Sequence, residues 1–223
     1  MSNIYHNGYI HYKNKYLSIK YNGGYKKKSK EKYDFYVYHS FGELIYEKIL
    51  CVLNDGYLKL GSDVEQKYRV YSGYESQPHI FANIYFPEIK NIKGFWGDGG
   101  LVLHPDVMYD YDVEFVKGWG GMPGTTIHKN DDNKTKKKKL QQIKKWVENP
   151  DYISEGLQKM LPSFHYHELI FNEKIPIKYI IGIICSYCPD NKINKIKNKL
   201  KKLNIDIPVY TDPYKIDLKY YQL

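Results

Sequence analysis

With 223 residues the chain is long enough for one sizeable domain with its own core. Its hydrophobic content of 42% excludes a disordered chain, and no run approaches the ~18 uninterrupted apolar residues of a membrane span. A net charge of +9 favours polyanions as partners, whether nucleic acid, a nucleotide cofactor or acidic protein.

Met1 to Tyr12 is polar and carries no apolar signal region, so an intracellular, cytoplasmic protein is expected. Three cysteines do not make a disulfide framework. Cys185 and Cys188 form a CxxC pair, expected as two reduced thiols at the end of a buried strand; the alternative is a zinc set completed by Cys51 and a histidine. Lys, Asn, Ile and Tyr abound, as AT-rich codons produce. Arg69 is the only arginine. A guanidinium grips phosphate in a way lysine cannot, so it marks either a site where lysine fails or a surface accident.

Residues 1–24 read as a Tyr-rich hairpin and Lys26 to Lys30 as a charged connector, so 1–34 form an appendage and 35–223 the main domain. Phe35 to Ser40 is a strand, followed by a helix from about Glu43 to Asn54 with Ile45, Ile49, Val52 and Leu53 at helical spacing. Ser40 and Glu43 suggest a capping box, and Asp55-Gly56 stops the helix. Leu58 and Leu60 alternate in an extended piece. Gly61 to Pro78 is a loop holding Arg69. In the strand Ile80 to Phe86, Phe81, Asn83 and Tyr85 share one side. A Gly-rich middle contains short strands at 101–103 and 113–116. Asn130 to Lys139 is a polar loop leading to a helix striped by Leu140, Ile143, Trp146 and Val147. Lys136, Lys137, Lys138 and Lys139 read either as a phosphate-binding run or as a solvated first turn. Strands at 165–171 and 177–184, a helix at 191–203 and a strand at 205–210 complete an α+β chain.

Glu168 sits in the strand Phe164 to Phe171 and shares a face with Phe164, Tyr166 and Ile170. A carboxylate in apolar surroundings costs several kcal/mol unless it is paired, so it has either a raised pKa and a task or a solvent-facing position. His165 and His167 lie on the other face, where a third ligand such as His79 or His104 would make a metal-dependent hydrolase.

Tyr38-His39-Ser40 on a first strand, the helix after it, and Leu53 to Leu58 resemble the opening of the ADP-ribosyltransferase superfamily. Ile80 to Phe86 resembles its second core strand, and His167 to Phe171 with Ile175 to Ile180 resembles the strand that bears the catalytic glutamate. The order of segments from Phe35 to Tyr214 looks most like the DarT-type transferases that modify nucleic acid. The chain also resembles proteins of giant DNA viruses, in keeping with its codon bias, which would place it in the host cytoplasm. This resemblance implies a split β-sheet core with flanking helices and NAD as cofactor. Glu168 would be the catalytic carboxylate, and His39, Ser40, Arg69, Phe81 and Tyr85 would bind the dinucleotide. Tyr166 stands where arginine-modifying members carry a second acidic residue, so a nucleic-acid acceptor, met through the basic surface, suits the chain better than arginine. The alternatives are a basic nucleic-acid-binding protein without catalysis, the His-x-His hydrolase, and a transferase fold that binds without reacting.

Overall fold

A computed structural model describes residues 33–69, 77–89, 99–117, 122–149 and 167–212. The described residues form a mixed α+β fold around an eight-stranded sheet of order β10-β9-β4-β1-β3-β7-β5-β6. The strands are β1 (Tyr36–Ser40), β3 (Ile80–Tyr85), β4 (Gly99–Leu103), β5 (Val113–Lys117), β6 (Met122–Ile127), β7 (His167–Phe171), β9 (Ile180–Cys185) and β10 (Val209–Tyr210). All neighbours are antiparallel except β9 and β10. A separate short ladder pairs β2 (Tyr57–Leu58) with β8 (Ile175–Pro176). Strand β9 is buried at every position, as its unbroken apolar run requires.

Four helices are described: α1 (Ile45–Asp55), α2 (Val107–Asp110), α3 (Asn133–Glu148) and α4 (Asp190–Lys202). The apolar stripes of α1, α3 and α4 join Val37, Ile84, Leu101, Phe115 and Leu169 in the main core, on what is here the helical face of the sheet. A second, smaller cluster on the opposite face is made of strand residues only, with Tyr36, Tyr38, Val102 and Ile184 buried and Tyr85 and Tyr210 packed against them.

Strand β3 changes partner half-way along. Its C-terminal half pairs with β1, ending at Tyr38↔Asn83, and its N-terminal half pairs with β7, ending at Ala82↔Leu169. Two side chains bridge the gaps beyond these last pairs. His39 Nδ1 lies 2.7 Å from the Phe81 carbonyl, and Asn83 Nδ2 donates to the His167 carbonyl at 2.7 Å. Both satisfy backbone carbonyls that the parting ladders would leave exposed. On the far side of β1, a Cβ on Gly100 would lie 2.0 Å from the His39 carbonyl, so only glycine lets β4 approach there.

Several expectations need correction. Helix α1 starts at Ile45 without a Ser40–Glu43 capping box. Gly42 and Leu44 both have positive φ, so the chain turns tightly and the first turn has no side-chain cap. Its end is as expected, with Gly56 at φ 84° donating to the Val52 carbonyl. Helix α3 begins at Asn133 because Asp132 accepts from the Thr135 amide, and this carries the lysine run into the helix. Lys136 then shares a face with Leu140, Ile143 and Val147 and is buried, its ammonium donating to the Tyr109 and Lys129 carbonyls at 2.6 Å each. Lys139 donates to the Thr126 carbonyl and to Asp131, both at 2.7 Å. Only Lys137 and Lys138 of the run are exposed, so the expected basic surface is not continuous. Cys185 and Cys188 are joined in a disulfide rather than standing as two thiols, leaving Cys51 free. The short hairpin strand β6 was not expected within the Gly-rich middle.

The hairpin expected over 1–24 lies outside the described residues. The last two residues of the expected appendage are tied to the main body: the Tyr33 hydroxyl donates to Asp106, and Asp34 pairs with Lys144 at 2.8 Å.

The burial of Lys136 leads to a prediction. Lys136→Met should destabilise by roughly 1–3 kcal/mol, because two carbonyls lose their donor. Lys138→Met should stay within about 0.5 kcal/mol of the parent. Urea melts of the two variants distinguish the buried lysine from its exposed neighbour.

Candidate active site

Strand register assembles one group of polar and aromatic side chains where β3 changes partners. Alternation along β1, β3 and β7 sends Tyr38, Ser40, Phe81, Asn83, Tyr85, Glu168 and Ile170 to the face opposite the helices. Glu168 pairs with the buried Val116 of β5, and on its other side Asn83 lies one residue past the last β3–β7 pair, Ala82↔Leu169. Directly paired residues such as Glu168 and Val116 have Cβ atoms about 4.5–5.5 Å apart.

Glu168 is half-buried, and burial raises its carboxyl above the ordinary value of 4.5. Among the described residues nothing donates a hydrogen bond to it and no cation pairs with it. This is the cause of its raised pKa: desolvation acts with no opposing charge. Asn83, its neighbour, is anchored by its amide nitrogen to the His167 carbonyl and so is held in place beside the carboxylate. Tyr85 is half-buried, its hydroxyl also raised by burial, and its ring packs on Tyr36 with centroids 4.9 Å apart. Phe81 and Ser40 occupy the adjoining row, and Ser40 Oγ lies 3.5 Å from the Gly42 amide. Gly100, paired with Ser40, adds no side chain there.

Two expected site residues are placed otherwise. His39 alternates to the helical face, its ring held by the Phe81 carbonyl and set edge-on to Phe41. Its place in the molecule is the parting of β1 from β3, not the row that holds Glu168. Arg69 closes its own loop, with Nε donating to the Val64 carbonyl and Nη2 to the Ser62 carbonyl, both at 2.8 Å. Two 3₁₀ turns, Gly61–Asp63 and Gln66–Tyr68, curl this segment, and the guanidinium holds the curl. Gly61 and Ser62 bind the carbonyls of His79 and Gln77, just before β3 begins. That end of β3 is three residues, or about 10 Å, from Asn83.

The histidines form no metal site among the described residues. His165 lies outside them. His167 is buried on the helical face, its ring stacked on Phe115 at 5.5 Å and Nε2 3.1 Å from the Ile84 carbonyl. His79 is bonded to Asn172, and His104 accepts from the Asp106 amide. Sequence reading missed Tyr38 and Asn83 as members of the site, although Asn83 is the one polar residue in an apolar and aromatic strand.

A family model matches residues 32–150, which is more than half of the chain. The chain belongs to the family of unknown function DUF5846. The uncharacterized protein R11 of Acanthamoeba polyphaga mimivirus is 30% identical over 213 residues, covering 92% of this chain and 74% of that protein. The uncharacterized protein L54 of the same virus is 24% identical over 154 residues, covering 67% of this chain and 76% of its own length. The matched DUF5846 region includes Tyr38, Ser40, Phe81, Asn83 and Tyr85 but ends before β7, so Glu168 lies beyond it. No helix among the described residues of this DUF5846 member is long and apolar enough to cross a membrane.

The raised carboxyl of Glu168 gives a signed prediction. A carboxylate whose folded pKa exceeds its unfolded value weakens the fold wherever it is ionised. The penalty is complete above the folded pKa and vanishes below the unfolded one. Glu168→Gln should therefore raise Tm at pH 7–8, by roughly 2–4 °C for each kcal/mol recovered. The gain should fade as pH falls below the ordinary value of 4.5. Melts of both proteins across pH measure this. An equal Tm at all pH values would mean that the carboxylate is fully hydrated.

Proposed function

We propose that this protein is an ADP-ribosyltransferase of the DarT-like kind, a glycosyltransferase that uses NAD and modifies a nucleic acid or protein, with Glu168 as its catalytic carboxylate. The observation that carries the reading is a half-buried carboxylate, unpaired among the described residues, at the point where β1, β3 and β7 meet. These are the three strands on which the resemblance to the superfamily rests.

The side chains in that group suit a nicotinamide riboside. Phe81 and Tyr85 offer aromatic surface on the same face as Glu168. Ser40 and the Asn83 side-chain carbonyl offer hydrogen-bonding atoms to ribose hydroxyls. The roles suggested for two other residues fit less well. Arg69 spends donors on its own loop, and His39 is held on the other face, so neither is assigned a dinucleotide contact here.

Bound NAD supplies an ADP-ribosyl group and a bond to nicotinamide whose cleavage places positive charge on the ribose. Glu168 faces that charge as a fixed anion, already stripped of part of its water, and so stabilises it without reorganising. The same carboxylate can take a proton from an acceptor nucleophile, and burial brings its pKa closer to neutrality for that task. Asn83, fixed by its bond to the His167 carbonyl, stands on the same face as the carboxylate. The buried Val116, paired with Glu168, adjoins it on one side.

Release of nicotinamide and transfer of labelled ADP-ribose by the purified chain test this directly. Glu168→Gln should reduce both by roughly 10²–10⁴-fold while the fold persists. Arg69→Lys should leave the KM for NAD unchanged. Label transfer that survives Glu168→Gln at the parent rate removes Glu168 from its role.

A further inference from the structure

Helix α4 carries six lysines against one aspartate, five of the chain's nine net positive charges in thirteen residues. Lys and Asn abound throughout the chain, and lysines in a last helical turn also complement the helix dipole. Composition alone does not sort them by face, and on α4 they are sorted. Ile193, Ile196 and Leu200 form the buried stripe. Diametrically outward from it, Asn191, Asn194 and Asn198 fall at i, i+3 and i+7 and are all exposed. Exposed Lys195 and Lys202 flank this crest on one side, and exposed Lys197 and Lys201 flank it on the other. Lys192, nearer the core, is neutralised by Glu47 at 3.0 Å.

We infer that α4 is a helix that enters the major groove of duplex DNA. An α-helix with its side chains is about 10–12 Å across, and the major groove is about 12 Å wide. Lysines on both flanks then meet the two phosphate backbones, and the asparagine crest faces the base edges. The amide of asparagine pairs in two places with adenine, so the crest reads A·T pairs. Asparagine is a poor helix former, and three along one exposed line weaken α4 relative to alanine or lysine there. Lys197 and Lys201 also line a groove of about 540 Å³ that runs along Asn204 to Val209. Asp190 opens the helix and is exposed, and exposed Asp206 lines the groove beside it.

A membrane surface fits less well, because the apolar stripe that would enter a bilayer is already spent in the core. An acidic protein would account for the lysines but not for the asparagine line. The helix packs against α1 on the helical face, on the other side of the sheet from Glu168. Binding at α4 is therefore separable from catalysis, and it replaces the discontinuous Lys136–Lys139 run as the basic surface.

Fluorescence anisotropy tests this, using short A·T-rich and G·C-rich duplexes, the corresponding single strands and phosphatidylserine vesicles, each over a range of salt. The parent should bind the A·T-rich duplex best, and Glu168→Gln should bind it equally well. Replacing Lys195, Lys197, Lys201 and Lys202 together by Gln should cut the slope of log affinity against log salt by about 0.9 for each phosphate that is no longer neutralised. It should weaken duplex binding at least tenfold, and the four-fold Arg replacement should restore it. Replacing Asn191, Asn194 and Asn198 by Ala should keep the salt slope but remove roughly tenfold of the A·T preference. Duplex binding unchanged in the four-fold Gln variant overturns the inference. So does binding of single strands or vesicles as tight as that of duplex, or an A·T preference unmoved by the three alanines.

Discussion

The partner change in β3 is the constraint from which the rest of the structure follows. A strand that pairs along its whole length with both neighbours satisfies its backbone groups and leaves no gap. Strand β3 instead gives one half to β1 and the other to β7, meeting them at Tyr38↔Asn83 and Ala82↔Leu169. The carbonyls just past each last pair need donors, since buried backbone groups left unpaired cost stability. Asn83 supplies one from its side chain, and the His39 ring meets another. Glu168 lies one residue past the last β3–β7 pair while its other side stays paired with Val116, and no described side chain answers it.

The two sides of the sheet divide the work. Helices α1, α3 and α4 bury their stripes on one side and make the large core. The other side carries a small, tyrosine-rich cluster and the row that holds Glu168. Burying an ionisable group without a partner is a cost that folding alone would not select. The main core supplies the stability that tolerates it, and such sites are where function and strain gather.

Much of this was legible from periodicity. The alternation of Ile80 to Tyr85 correctly separates its buried and half-buried sides, and Gly56 ends α1 where the sequence places a stop. Glu168 stood out as a carboxylate among apolar neighbours, which is its observed setting. Pairing between distant strands was not legible, because register depends on contacts that no local pattern encodes. Hence the side that Asn83 shares with Phe81 and Tyr85 was legible, but not that it faces the Glu168 row, nor that the His39 ring meets the Phe81 carbonyl across the parting of β1 and β3. Arg69 and Lys136 misled for a common reason. A charged side chain signals a ligand only if backbone carbonyls do not claim it first, and Ser62, Val64, Tyr109 and Lys129 do.

The central claim is that the carboxyl of Glu168 is poorly hydrated, unpaired among the described residues and, under the proposed function, within reach of NAD. Its titration, followed by carbon NMR of selectively labelled glutamate and assigned with Glu168→Gln, reports all three properties at once. The account predicts a carboxyl titrating above the ordinary value of 4.5, with a signal that moves further when NAD is added. An ordinary titration, with no response to NAD, would contradict it.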